Sequence, residues 1–180
     1  MPEALKALEA DPPEGLVRAF ERTAGDEVQG LLSDPEGVVE AVTRLARLGG
    51  WRVGVGVGEV DTPLPESTRA ATGPAFVAAR RAVEDARTTP AQVAVRGARD
   101  GRAVRRADAA LVALGALLAR RTIPGWEAAA LSAKGMTGQQ IATRLGISPS
   151  AVSQRLRAAA AEEAGRSAWL AADLLGEADG

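Results

Sequence analysis

Ser150, Ser153, Gln154 and Arg157 recur at the spacing that places four hydrogen-bonding side chains on one face of an α-helix. Glutamine and arginine suit the adenine and guanine edges displayed in the major groove of a DNA duplex, and serine hydroxyls suit base edges or phosphate oxygens. Most other chemistry is closed to this chain. Its 180 residues include no His, no Cys and no Tyr, which excludes disulfides, Cys/His zinc sites and histidine-based nucleophilic triads. Aromatic residues make up only 3%, so single-stranded nucleic-acid recognition by stacking is disfavoured.

A polar face needs a frame, and the stretch from Gly135 to Arg157 has the parts of a helix-turn-helix. Thr137 and Gln140 have capping-box spacing, and Ile141 and Leu145 supply the inner face of the first helix. Ala142 is small where two helices must cross. Gly146 permits the turn, Ile147 fills the corner, Ser148 is the expected N-cap of the second helix and Pro149 its first helical residue. Val152 and Leu156 form the buried stripe of that helix. The residues expected to meet DNA are Thr137, Gln139, Gln140, Ser148, Ser150, Ser153, Gln154, Arg155 and Arg157.

Charge supports this reading. Residues 1–97 carry 11 basic and 15 acidic side chains, residues 98–160 carry 10 and 3, and residues 161–180 carry 1 and 5. The middle block is therefore +7 in a chain of net charge −1, a distribution that attracts a polyanion through one region.

The first 97 residues read as α-β-β-α-β-α-β. Helices are expected over 3–10, 36–48 and 74–87, and strands over 16–23, 28–32, 51–60 and 92–96. The first two strands form a hairpin turning at Ala24-Gly25-Asp26-Glu27. In the third, Val53, Val55 and Val57 alternate with Gly54, Gly56 and Gly58, so one face lacks side chains and something must approach the backbone closely, with a packed helix preferred over a ligand. Residues 98–106 read as a basic connector, and residues 107–180 as a helical domain with its helix-turn-helix at 137–160. Trp126 is expected to anchor the helix before that unit. Trp169, Leu170, Leu174 and Leu175 form an apolar stripe suited to pairing two protomers.

The Gly135–Arg157 segment resembles the helix-turn-helix of bacterial regulators, including the promoter-reading region of sigma factors and the MarR group. Three N-terminal blocks, Thr23 to Leu32, Arg52 to Val60 and Gly73 to Arg80, resemble the SatD family and, more distantly, the palm of class III nucleotide cyclases and GGDEF domains. The resemblance implies a ferredoxin-like sheet, here incomplete, and hence an α+β protein with an all-α helix-turn-helix domain. In active palms two strand-borne carboxylates hold metal ions, and Asp26 and Glu27 match the second position. The first carboxylate has no counterpart here, and Phe76 stands where an asparagine would assist catalysis. A solvated hairpin turn is the preferred reading of Asp26 and Glu27.

The expected function is sequence-specific binding of double-stranded DNA by a transcriptional regulator, with the N-terminal domain as sensor or interaction module. The alternative is a nucleotide- and Mg²⁺-binding enzyme or sensor. No catalysis and no cofactor are expected, and no particular small-molecule effector is indicated. A homodimer is expected, because one short recognition helix buries little surface. No apolar run approaches the roughly 18–20 residues that span a bilayer, and no secretory signal is evident, so a cytoplasmic location is expected.

Overall fold

A computed structural model describes residues 2–23, 25–99 and 101–180. Ala24 of the expected hairpin turn and Asp100 of the expected connector lie outside the described residues. The class is mixed α+β, with a small two-sheet region followed by helices. In chain order the elements are α1 (Pro2–Glu9), β1 (Leu16–Arg22), β2 (Val28–Leu32), α2 (Pro35–Leu48), β3 (Val53–Val57), a 3₁₀ turn (Thr68–Ala70), α3 (Pro74–Ala86), β4 (Val93–Gly97), α4 (Arg102–Leu118), α5 (Ile123–Ala133), α6 (Gly138–Leu145), α7 (Pro149–Ala158) and α8 (Ala161–Asp179).

The glycine face of β3 is explained by α3. An ideal Cβ on Gly56 would lie 2.0 Å from the Ala75 carbonyl oxygen, and one on Gly54 would lie 2.4 Å from the Val83 nitrogen. Helix α3 meets the strand with Ala75, Ala78, Ala82 and Ala86 buried, so two small-residue surfaces bring backbone against backbone. β3 and β4 pair in parallel with Val53 opposite Val93 and Val55 opposite Val95. A β-α-β unit results, with α3 on its glycine face and α4 on the valine face. α4 presents Val104, Ala107, Leu111, Leu114 and Leu118 at alternating three- and four-residue steps, and all are buried. They share one core with Val39 and Val42 of α2, Val93 and Val95 of β4, and Leu174 and Leu175 of α8.

Two expectations change on this architecture. The strands do not merge into one ferredoxin-like sheet. β1 and β2 form an antiparallel pair and β3 and β4 a separate parallel pair. The outer edge of β4 is closed by side chains: the Val95 amide donates to Asp108 Oδ1 at 2.7 Å, Thr89 Oγ1 donates to the Val93 carbonyl at 3.2 Å and Arg96 Nη1 to the Val95 carbonyl at 2.7 Å. β1 is bridged to the 61–73 loop, where Arg18 Nε donates to the Pro65 carbonyl at 2.7 Å and Thr68 Oγ1 to the Ala19 carbonyl at 2.6 Å. Backbone groups that find partners this way are not available to a neighbouring strand.

The nine residues read as a connector, 98–106, are also divided, because Arg102 to Arg106 begin α4. Their arginines stand on the exposed side of a helix whose opposite side is core, with Val104 only 7% exposed. The apolar stripe of α8 is divided too: Leu174 and Leu175 fill the core, whereas Trp169 and Leu170 remain exposed.

Candidate nucleic-acid interface

α5, α6 and α7 form a three-helix unit around a small core of its own, with Ile141, Ala142 and Val152 buried and Leu131, Met136, Leu145, Ile147 and Leu156 packed around them. Local chemistry sets each boundary. Thr137 Oγ1 accepts from the Gln140 amide at 3.3 Å, and Gln140 Oε1 accepts from the Thr137 amide at 2.8 Å, completing the capping box. Gly146 ends α6 in the left-handed region at φ 66°, where a side chain would be strained. Ser148 Oγ accepts from the Ala151 amide at 3.2 Å, with Pro149 at the first helical position.

This geometry sorts the nine candidate residues. Thr137, Gln140 and Ser148 are occupied as caps, so they shape the unit. Ser150, Ser153, Gln154 and Arg157 are exposed together along α7, on the side away from buried Val152. Ser150 Oγ lies 3.0 Å from Ser148 Oγ, and Ser153 Oγ donates to the Pro149 carbonyl at 3.1 Å, which leaves each hydroxyl able to accept. Arg155 is half-buried at the edge of that face. Gln139 lies on α6, where it lines a shallow recess with Met136, Gln140, Thr143 and Arg144. Thr143 and Arg144 were not among the expected residues; their spacing of four from Gln139 and Gln140 is the signal that places them on that side of α6.

The basic block separates into two groups. Arg99, Arg102, Arg105 and Arg106 lie at or before the start of α4, and Arg106 pairs with Glu177 at 2.6 Å. Arg120, Arg121, Lys134, Arg144, Arg155 and Arg157 lie at its far end or beyond, with Glu127 the one acid in residues 120–157. The 17 residues of α4 hold its two ends about 25 Å apart at 1.5 Å per residue. The second group lies within the three-helix unit or just before its first helix.

One arginine in that group serves architecture. Arg121 Nε donates to the Ala159 carbonyl at 2.8 Å, and its guanidinium lies 4.8 Å from the centroid of Trp126. Burial pushes its pKa below the ordinary arginine value. Trp126 packs against the main core, as expected of an anchor, so the pair ties the end of α7 to the body of the protein. The next residue, Ala160, takes the left-handed conformation at φ 46°, which turns the chain sharply from α7 into α8. Arg121→Ala is expected to cost about 1–3 kcal/mol, from the lost charge-assisted hydrogen bond and ring contact, and to lower the melting temperature by several degrees. Thermal unfolding followed by circular dichroism checks this.

Asp26 and Glu27 are exposed beside the β1–β2 turn, and no group of three or more His, Cys, Asp or Glu residues able to hold a metal ion occurs among the described residues. No helix among the described residues is long and apolar enough to cross a membrane.

In a comparison with known families, residues 126–170 match the homeodomain-like domain, a family of helix-turn-helix units. The matched stretch runs from Trp126 in α5 through α6 and α7 into the first half of α8, so it takes in most of the three-helix unit, and it suggests DNA as the partner. The SatD-like and cyclase-palm resemblance of the N-terminal blocks has no support from this comparison. No curated protein and no solved structure matches the chain.

Proposed function

We propose that this chain is a regulator of transcription that binds double-stranded DNA in a sequence-specific manner, acts as a homodimer in the cytoplasm and catalyses no reaction. The observation that carries the proposal is the exposed row of Ser150, Ser153, Gln154 and Arg157 on the last helix of a homeodomain-like unit. In this reading Gln154 and Arg157 address base edges, while Ser150, Ser153, Gln139 and Arg155 meet the sugar-phosphate walls. Arg144, Thr143 and Lys134 add positive charge and hydrogen bonds at the flank. The capping residues Thr137, Gln140 and Ser148 act through the helix ends they shape.

The module formed by α1–α4 and the four strands is proposed as the sensor or interaction part. Its mechanical connection to the DNA-binding unit supports this: α4 leads directly into α5, α8 returns from α7 into the main core, and Arg121 fastens the junction. A change in that core would reach α7 through two helices.

Anisotropy of a fluorescent duplex, titrated with the full chain at two salt concentrations, tests the reading. Binding is expected to weaken by about tenfold or more between 50 and 200 mM salt, since several phosphate contacts release counterions. Absence of binding at the lower salt would refute it.

A further inference from the structure

Between α2 and α8 runs an open groove of about 360 Å³, lined by Glu36, Val39, Glu40, Thr43, Ala168, Trp169 and Ala172. Trp169 is 67% exposed, unusual for so large an apolar side chain. The helices run antiparallel, for an ideal Cβ on Gly176 near the end of α8 would sit 3.7 Å from Pro35 at the start of α2. Helical spacing continues the α2 wall of Glu36, Glu40 and Thr43 to Arg47, and sets Glu162, Arg166 and Asp173 in line with Trp169 along the α8 rim of the groove. One end of the groove thus carries Glu36, Glu40 and Asp173, and the other carries Arg47, Arg166 and Glu162, so the net positive charge of that end rests on Arg47. Three of these charges already have partners on their own helix: Glu40 pairs with Arg44 at 2.5 Å, and Arg166 and Glu162 pair with each other at 2.6 Å.

We propose that this groove is a self-complementary docking surface whose occupant is a second copy of the chain, with Trp169 of each protomer seated in the groove of the other. A two-fold axis through the centre of the groove reverses its direction. It lays the acidic end of one copy over the basic end of its partner, and brings each indole onto Val39, Ala168 and Ala172. A parallel arrangement would oppose like charges at both ends. An unrelated peptide of one sign would match only half of the surface. The charge order along the groove is therefore what selects a copy of the same chain. The inference rests on the proposal that the protein works as a pair, and adds the surface through which it does so.

Sedimentation equilibrium of the full chain without DNA tests it. The wild-type chain is expected to dimerise at micromolar concentration, with weaker association at high salt. Trp169→Ala is expected to raise the dimer dissociation constant at least about tenfold, as loss of a central aromatic anchor does. Glu36→Arg and Arg47→Glu should each weaken self-association, and an equimolar mixture of the two should recover it, because position 36 of either copy again faces an opposite charge at position 47 of the other. Recovery on mixing also shows that both variants are folded. A monomeric wild type, a dimer indifferent to Trp169→Ala, or a mixture no tighter than its components would overturn the proposal. Gln154→Ala with Arg157→Ala should leave the dimer intact, so failure of the DNA-binding reading is separately visible.

Discussion

Replacing Gln154 and Arg157 together by alanine is expected to lower affinity for the preferred duplex by about 2 kcal/mol or more, roughly thirtyfold, since each side chain paired with a base edge contributes about 1–3 kcal/mol of discrimination. Both residues are exposed on α7, away from the Ile141–Val152 core, so the variant should melt at the wild-type temperature. Two features separate recognition from bulk electrostatics. Affinity for unrelated duplexes should fall far less than affinity for the preferred one, and the salt dependence should become shallower by no more than about one phosphate contact. Competition titrations with specific and unrelated duplexes measure both. Equal loss on every sequence would assign Arg157 to the backbone and leave Gln154 without a role in readout.

Gly56→Val is the second large effect, and it acts on the scaffold. The valine Cβ would meet the Ala75 carbonyl oxygen at 2.0 Å and the Ala79 nitrogen at 2.4 Å, both backbone atoms of α3 that no side-chain rotation can clear. The helix must lift from the sheet, exposing Ala78, Ala82 and Ala94, which are 1% accessible or less. A loss of about 3 kcal/mol or more is expected, a large part of the 5–15 kcal/mol typical of a domain. Urea denaturation should show a lower midpoint or no folded baseline. Gly25→Ala is a useful contrast, because nothing lies within 4 Å of a Cβ there and only its φ of 65° opposes the change.

The parts that could be read from the chain beforehand are those decided by neighbours in sequence. Thr137 with Gln140, Gly146, and Ser148 before Pro149 each set a helix end within four residues, and each is found in that role. The glycine face of β3 announced a close helix for the same reason: alternation along five residues is a local pattern. Strand pairing is not local. β3 and β4 are joined through α3, and the Val95 amide on the outer edge of β4 is taken by Asp108, a side chain from the following helix that no alternation pattern reveals. The start of α4 was hidden by its arginines. Gly101 precedes it without a side-chain cap, and Arg102, Arg105 and Arg106 look like a linker until Val104, Ala107 and Leu111 are seen to share one buried stripe. Leu174 and Leu175 read as a partner surface because α8 alone shows an apolar face, while its use is set by α4 and α2.

In the candidate interface, outward placement of Ser150, Ser153, Gln154 and Arg157 followed from the position of Val152. The division of the +7 block did not, because it depends on the length and direction of α4.

Selection of duplexes from a randomised pool by the 180-residue chain, read by sequencing after several rounds, decides whether α7 reads a base sequence. The wild-type chain is expected to enrich a defined motif that the Gln154→Ala, Arg157→Ala variant no longer enriches, with retention on DNA of both proteins weakened by salt. A pool that stays random with the wild-type chain, or the same motif enriched equally by the variant, would contradict it.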